Sequence, residues 1–250
     1  MLLGVRSDCI VGNTLEERID VVRELGYDFL ELVLSQERTA NLTRFDITYY
    51  RQLREKVGFC IPQTSFGLFK GFGSKEDDDQ KDTVNRLRQF VDLTAALDGD
   101  VVLVACCEDS QDIESYLPAY QLGFLEAADH AADQGVMLAL EAVGHYPPSL
   151  VDRLVRKLEH PNVKMYYDMG NCLYGNEDPL ESIRLSIDLT AAVHIKGGPD
   201  SSLADMPLGD ILEVLQDHSY QGRGCLEIPP PDGTNSHLRD ALGLLRSTGY

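Results

Sequence analysis

Short apolar runs alternate with amphipathic stretches along the whole chain. The runs at 2–5, 28–34, 59–63, 101–105, 136–140, 163–167, 191–195 and 223–227 are continuously apolar or nearly so. That is how parallel strands buried on both faces read. Between them, residues 14–25, 46–57, 80–97, 117–134, 149–159, 179–187 and 208–217 carry the helical period, and 236–247 forms a closing helix. Thr14-Leu-Glu-Glu17 has the form of a capping box at the first helix start, and Gly26, Gly58 and Gly135 are helix stops. Eight strand–helix units on one chain predict an α/β fold, a (β/α)8 TIM barrel, as a single domain over 1–250. The competing architecture is an open doubly wound sheet. No G-x-G-x-x-G follows the first strand, which removes its usual dinucleotide-binding form.

The most irregular stretch is 66–79, where Phe66, Phe69 and Phe72 alternate with Gly67, Gly71 and Gly73 ahead of an acidic run. Its place after the third strand gives two expectations: a mobile apolar flap over a pocket, or a segment packed on the barrel rim or on a neighbouring subunit.

Charge narrows the function classes. With 41 acidic and 22 basic residues, the net charge is −19. Binding to nucleic acid or to an anionic membrane surface relies on basic patches and is therefore not expected. The amino terminus lacks a basic region followed by a long apolar stretch, so it reads as a first strand, not a signal peptide. No apolar run reaches the roughly 18 residues of a membrane span. The six cysteines are scattered with no C-x-x-C pair. Reduced thiols and a cytoplasmic location are the natural reading.

The candidate chemistry lies at strand ends. Glu141, Asp168, His194 and Glu227 each close an apolar run in the second half of the chain. A barrel gathers the C-terminal ends of its strands at one face, so four such residues form one ring. Each taken alone has a plainer reading: Asp168 as the cap of the turn Asp168-Met-Gly-Asn171, His194 as a core histidine. Together they make a ligand set for a divalent metal ion (Mn, Mg, Co or Zn). Such an ion polarises a carbonyl and stabilises the enediolate formed when the adjacent carbon loses a proton. Glu141 and Glu227, on different strands, are the natural catalytic acid/base pair.

Around this set, Lys196, two residues beyond His194, points the same way and is a candidate for substrate oxygens or a phosphate, with a rim salt bridge as its alternative. His145 is a candidate acid/base or substrate contact, or a histidine that orders the turn before Pro147-Pro148. Glu31 could bind sugar hydroxyls or orient a metal ligand. Glu108 is a further candidate, and Gly197-Gly198 a candidate phosphate cradle. His130, His160, His218 and His237 read as surface residues.

Several motifs resemble the xylose-isomerase-like TIM barrel superfamily of sugar phosphate isomerases and epimerases. They are Leu138-Ala-Leu-Glu141 followed by His145, Tyr167-Asp168-Met-Gly-Asn171, Val193-His194-Ile-Lys196, Met206-Pro-Leu-Gly209 and Tyr220-Gln-Gly222 through Cys225-Leu-Glu227. The resemblance covers nearly the whole chain. It implies that Glu141, Asp168, His194 and Glu227 hold the metal, that the two glutamates move the proton, and that the substrate is a small sugar. Dimers and tetramers are common among such barrels, so a homo-oligomer is in keeping with it. Two positions depart from the ketose 3-epimerase branch. Asn171 stands where that branch has a histidine, and Asp200 where it has an arginine. Asp200 cannot copy an arginine's hold on an enediolate. The leading expectation is a metal-dependent isomerase or epimerase of a ketose or sugar phosphate. A dehydratase or lyase on a keto-sugar or keto-inositol follows, then a non-catalytic sugar-binding barrel. A metal-dependent DNA endonuclease, known among related barrels, conflicts with the acidic charge.

Overall fold

The computed structural model describes residues 1–67 and 69–248. Eight parallel strands close into a barrel in sequence order. They are β1 (Leu2–Arg6), β2 (Phe29–Val33), β3 (Gln63–Phe66), β4 (Val101–Cys106), β5 (Met137–Ala142), β6 (Val163–Asp168), β7 (Thr190–Ile195) and β8 (Arg223–Leu226). Closure is direct: Leu3 of β1 pairs with Gly224 of β8. The helices are α1 (Leu15–Leu25), α2 (Gln36–Ala40), α3 (Arg44–Val57), α4 (Asp77–Ala96), α5 (Ile113–Ala119), α6 (Leu125–Asp133), α7 (Pro148–Leu158), α8 (Met169–Tyr174), α9 (Pro179–Ser186), α10 (Leu208–Asp217) and α11 (Ser236–Ser247). No helix among the described residues is long and apolar enough to cross a membrane.

Side chains alternate between two cores because successive residues of a strand face opposite sides. Val101, Leu103, Ala105, Ala139, Tyr166 and Ala192 cluster inside the barrel. Val102, Val104, Leu138 and Leu140, offset by one, join the larger cluster under the helices. Gly4 is required by this interior: a Cβ there would lie 2.3 Å from the ring of Phe29, its pairing partner on β2. Near the opposite end of the barrel from the site, the Arg223 guanidinium grips Asp100 through two bonds of 2.5 and 2.8 Å. The expected cap of α1 forms in part. The Glu17 N–H donates to the Thr14 hydroxyl, but the Glu17 carboxylate accepts from the Asn13 N–H instead of closing the box on Thr14. Gly26 ends the helix at φ 84°, a conformation that costs glycine little.

Three expectations are corrected. The third strand runs over Gln63–Phe66, not 59–63. Pro62 has no N–H for a ladder, and its carbonyl accepts from the Asp100 N–H instead; regular pairing begins at Gln63 opposite Val101. The phenylalanine stretch is neither flap nor subunit surface. Phe66, Phe69 and Phe72 are wholly buried. Phe69 stacks on Phe72 at 4.2 Å and meets Tyr120 and Phe124. Leu68, within that stretch, lies outside the described residues. Finally, the helix expected over 117–134 starts at Ile113, capped by Asp112, and passes through one π-helical turn at Tyr120–Phe124. That turn places both Tyr120 and Phe124 against Phe69.

Candidate metal centre at the barrel mouth

The C-terminal strand ends bring the four expected ligands together. Glu141 is the penultimate residue of β5, Asp168 the last of β6, His194 the penultimate of β7, and Glu227 follows β8 directly. One ligand atom from each lies within 4.8 Å of the others. His194 Nδ1 is their common neighbour, 2.7 Å from Glu141 Oε1, 3.0 Å from Glu227 Oε2 and 3.4 Å from Asp168 Oδ2. Glu227 is the most open of the four, at 21% side-chain exposure against 0% for His194.

Glu31, at the centre of β2, lies beside the other face of the imidazole. Its Oε1 is 3.3 Å from His194 Nε2. Its other oxygen accepts from Gln63 Nε2 at 2.6 Å and from the Tyr166 hydroxyl at 2.8 Å. A carboxylate on the far nitrogen is the usual means of fixing which nitrogen of a ligand histidine faces the metal. Glu31 is therefore placed to orient His194.

Asp168 divides its two oxygens between two tasks. Oδ1 accepts from the Asn171 N–H at 2.9 Å and caps α8. Oδ2 is buried without an aligned hydrogen bond, although the Lys196 ammonium lies 2.8 Å away. The cap reading and the ligand reading of Asp168 thus both describe the geometry. Lys196 also bonds Glu227 Oε2 at 3.0 Å.

The electrostatics follow from burial and from these pairs. Burial raises the Glu141 carboxyl to about 7, against the pull of His194, with Asp168 and Glu227 adding to the rise. Burial also opposes ionisation of Glu227, yet His194, Arg6 and Lys196 hold it well below the ordinary range. Asp168 is likewise lowered against burial, by Lys196 and His194. His194 is raised well above its usual value despite burial, because Tyr166, Glu31, Glu227 and Glu141 surround it. Three carboxylates converging on one neutral-capable nitrogen, with an unaligned buried oxygen among them, suit a hard-to-borderline divalent cation. A second cluster, Glu31, His194 and Cys225, shares the histidine. Burial pushes the Cys225 thiol upward, away from the thiolate a metal needs, so this cluster fits a cation less well.

The remaining candidates separate. Lys196 joins the ring as an ion-pair partner of two expected ligands. Asn171 is buried beside the ring, but its amide donates to the Ala142 carbonyl at 2.8 Å. His145 is exposed and hydrogen-bonds the Tyr174 carbonyl at 3.1 Å, which orders two loops. Asp200 is exposed on the loop after β7. Within the expected phosphate cradle, the Gly198 N–H donates to Ser201 Oγ of the same loop. Glu108 is buried away from the ring, accepting from Tyr120 at 2.7 Å and from the Gly73 N–H. His237 is buried, not on the surface, with Nε2 3.1 Å from the Cys9 carbonyl.

Sequence reasoning missed Arg6. It is the last residue of β1, and Nη1 lies 2.7 Å from Glu227 Oε1. The same strand-end criterion that selected the four ligands would have found it. Gln63 and Tyr166, which hold Glu31, were missed because they lie inside the barrel one layer deeper.

A closed parallel barrel with carboxylates and an imidazole gathered at its C-terminal mouth defines a recognisable class of barrel. Residues 19–248 match the family model described as xylose isomerase-like TIM barrel, and the chain belongs to that family. It is similar to L-ribulose-5-phosphate 3-epimerase UlaE from Salmonella typhi, 22% identical over 246 residues that cover 90% of this chain and 86% of that protein. Among solved structures, E. coli 3-keto-D-glucoside 4-epimerase YcjR superposes with a TM-score of 0.82 at 16% identity, covering 99% of both chains. D-psicose 3-epimerase from Clostridium cellulolyticum H10, solved with D-tagatose, gives 0.80 at 16% identity, again covering 99% of both. The expectation of an enzyme of the sugar isomerase and epimerase kind agrees with these relatives.

Proposed function

We propose that the protein is a divalent-metal-dependent isomerase or epimerase of a small ketose, free or phosphorylated. Glu141, Asp168, His194 and Glu227 would hold the cation. The observation that carries this reading is the convergence of three carboxylates on His194 Nδ1, within 3.4 Å, while Glu31 takes Nε2. A divalent ion bound there supplies positive charge that polarises a substrate carbonyl and offsets the negative charge that develops as a proton leaves the adjacent carbon. Glu141 and Glu227 are the proton-moving pair: one removes the proton from the carbon between carbonyl and hydroxyl, and the other returns one. Glu31 keeps the imidazole turned toward the site. Lys196 holds Asp168 and Glu227 and offers its remaining N–H groups to substrate oxygens. The ring is largely buried, which keeps bulk water from the reacting carbon.

A second reading, a dehydratase or lyase on a keto-sugar, is favoured by two positions. The Asn171 amide is committed to a backbone carbonyl and Asp200 faces solvent, so neither replaces the groups of the 3-epimerase branch. In that chemistry a β-hydroxyl leaves in place of proton return.

The test is solvent deuterium incorporation into D-psicose, D-tagatose and L-ribulose 5-phosphate by Mn²⁺-loaded protein, followed by NMR. Exchange that disappears in Glu141→Gln and Glu227→Gln supports the epimerase. Ultraviolet absorbance of an enone product from a keto-sugar supports the lyase. No exchange by the wild type across the panel overturns the epimerase reading for these ketoses.

A further inference from the structure

Glu227 is the only one of the four ring residues that an arginine also grips, among the described residues. Arg6 Nη1 lies 2.7 Å from Glu227 Oε1. The rest of the guanidinium is held elsewhere. Nε and Nη2 bond the two Asp8 oxygens at 3.1 and 2.9 Å, a bidentate clamp. Nε also faces Glu31 at 3.8 Å. The Arg6 side chain is 14% exposed, while Asp8 stands on the turn after β1 at 47%. Glu227 Oε2 faces Lys196 and His194 instead. Both oxygens of Glu227 therefore have fixed partners, and the Oε1 partner is fixed in turn by Asp8. Glu141 has no comparable support, since its hydrogen bond runs to His194 alone among the described side chains.

We infer that Arg6, locked by Asp8, is a positioning residue that sets the orientation of the Glu227 carboxylate during proton transfer. The inference rests on the proposed role of Glu227. Arg6 is suited to the task because its planar fork can clamp Asp8 with one edge and present one N–H to Glu227. A lysine has a single flexible ammonium and could satisfy only one of the two carboxylates well. Asp8 has no hydrogen bond or ion pair to Glu227 and acts only through Arg6.

The experiment uses full-length, Mn²⁺-loaded Arg6→Met, Arg6→Lys, Asp8→Asn and the Arg6→Met/Asp8→Asn double variant, beside Glu227→Gln. Two readouts are taken: steady-state kcat and KM for epimerisation of the most active ketose of the panel above, and crystal structures of wild type and Arg6→Met. Arg6→Met is expected to lower kcat by about 10- to 100-fold, the usual size for losing an orienting partner, with KM changed far less. Arg6→Lys should recover part of that loss, and Asp8→Asn should show a smaller loss. The double variant should be no worse than Arg6→Met, because Asp8 has no separate route to the site. In the Arg6→Met crystal, the Glu227 carboxylate should leave its wild-type orientation. Full kcat in Arg6→Met while Glu227→Gln is inactive overturns the inference and leaves the proposed function standing. An active Glu227→Gln overturns the proposed function. If no ketose reacts, the crystal structure decides: a Glu227 carboxylate unmoved in Arg6→Met overturns the positioning role.

Discussion

His194 Nε2 and Glu31 Oε1 lie 3.3 Å apart inside the barrel, and this pair decides which imidazole nitrogen faces the three carboxylates. With the Glu31 carboxylate beside Nε2, a cation held by the ring would take the Nδ1 side of the imidazole in place of a proton. A neutral amide at position 31 brings an NH2 group among the donors of Gln63, Tyr166 and His194. Glu31→Gln is expected to weaken Mn²⁺ binding by about tenfold or more, measured by isothermal titration, although residue 31 is not one of the expected ligands.

The divided duty of Asp168 makes two substitutions separable. Asparagine retains an oxygen to cap α8 through the Asn171 N–H but loses the charge on the oxygen that faces Lys196. Asp168→Asn should fold with little change in Tm and bind Mn²⁺ at least tenfold more weakly, the scale at which ligand-set defects register. Asp168→Ala should lose the metal and, in addition, about 1 kcal/mol of stability with the cap. Calorimetric melting beside metal titration checks both.

How much of this was legible in the sequence depended on the kind of signal each residue gave. The ring of Glu141, Asp168, His194 and Glu227 was readable because each ends a strand, and strand ends in a barrel share one face. Arg6 obeyed the same rule but belonged to a residue type not sought as a ligand. β3 was displaced by one strand length because 59–63 looks apolar while Gln63-Thr-Ser-Phe66 looks polar. Its polar side chains find partners that only the tertiary fold supplies: the Gln63 amide N–H donates to Glu31 on β2, and the Thr64 hydroxyl pairs with Thr94 on α4. The phenylalanines of 66–79 gave a correct apolar signal, and of their two expected roles the structure favours packing against the barrel over a flap. Glycines suggested mobility, whereas Gly73 is needed for close approach: a Cβ there would lie 2.2 Å from Tyr116 Cβ.

That aromatic cluster yields a prediction about stability without chemistry. Phe69 is wholly buried and contacts Phe66, Phe72, Tyr120 and Phe124 through its ring. Phe69→Ala should cost about 3–5 kcal/mol through lost burial and the cavity left behind. For a domain of this size the Tm should fall by roughly 10 °C. Mn²⁺ affinity measured below the transition should stay near wild type. A flap over the substrate would give the reverse pattern, a changed KM with an unchanged Tm.

Glu108 gives a pH dependence separate from the ring. Burial raises its carboxyl above the ordinary value, outweighing the hydrogen bonds from Tyr120 and Gly73 that lower it. A raised folded-state value means that the folded protein favours the protonated acid more than the unfolded chain does. The contribution is fully present below the unfolded value of about 4.5 and is lost as pH rises through the folded value. Glu108→Gln cannot ionise and lacks this dependence. The Tm of the wild type relative to Glu108→Gln should therefore be highest below pH 4.5 and decline as pH rises above it through the raised folded-state value. Melting curves of the two proteins in matched buffers give the difference directly, since the other carboxylates titrate in both. A difference that grows with pH would mean that the Tyr120 and Gly73 bonds outweigh burial at this site.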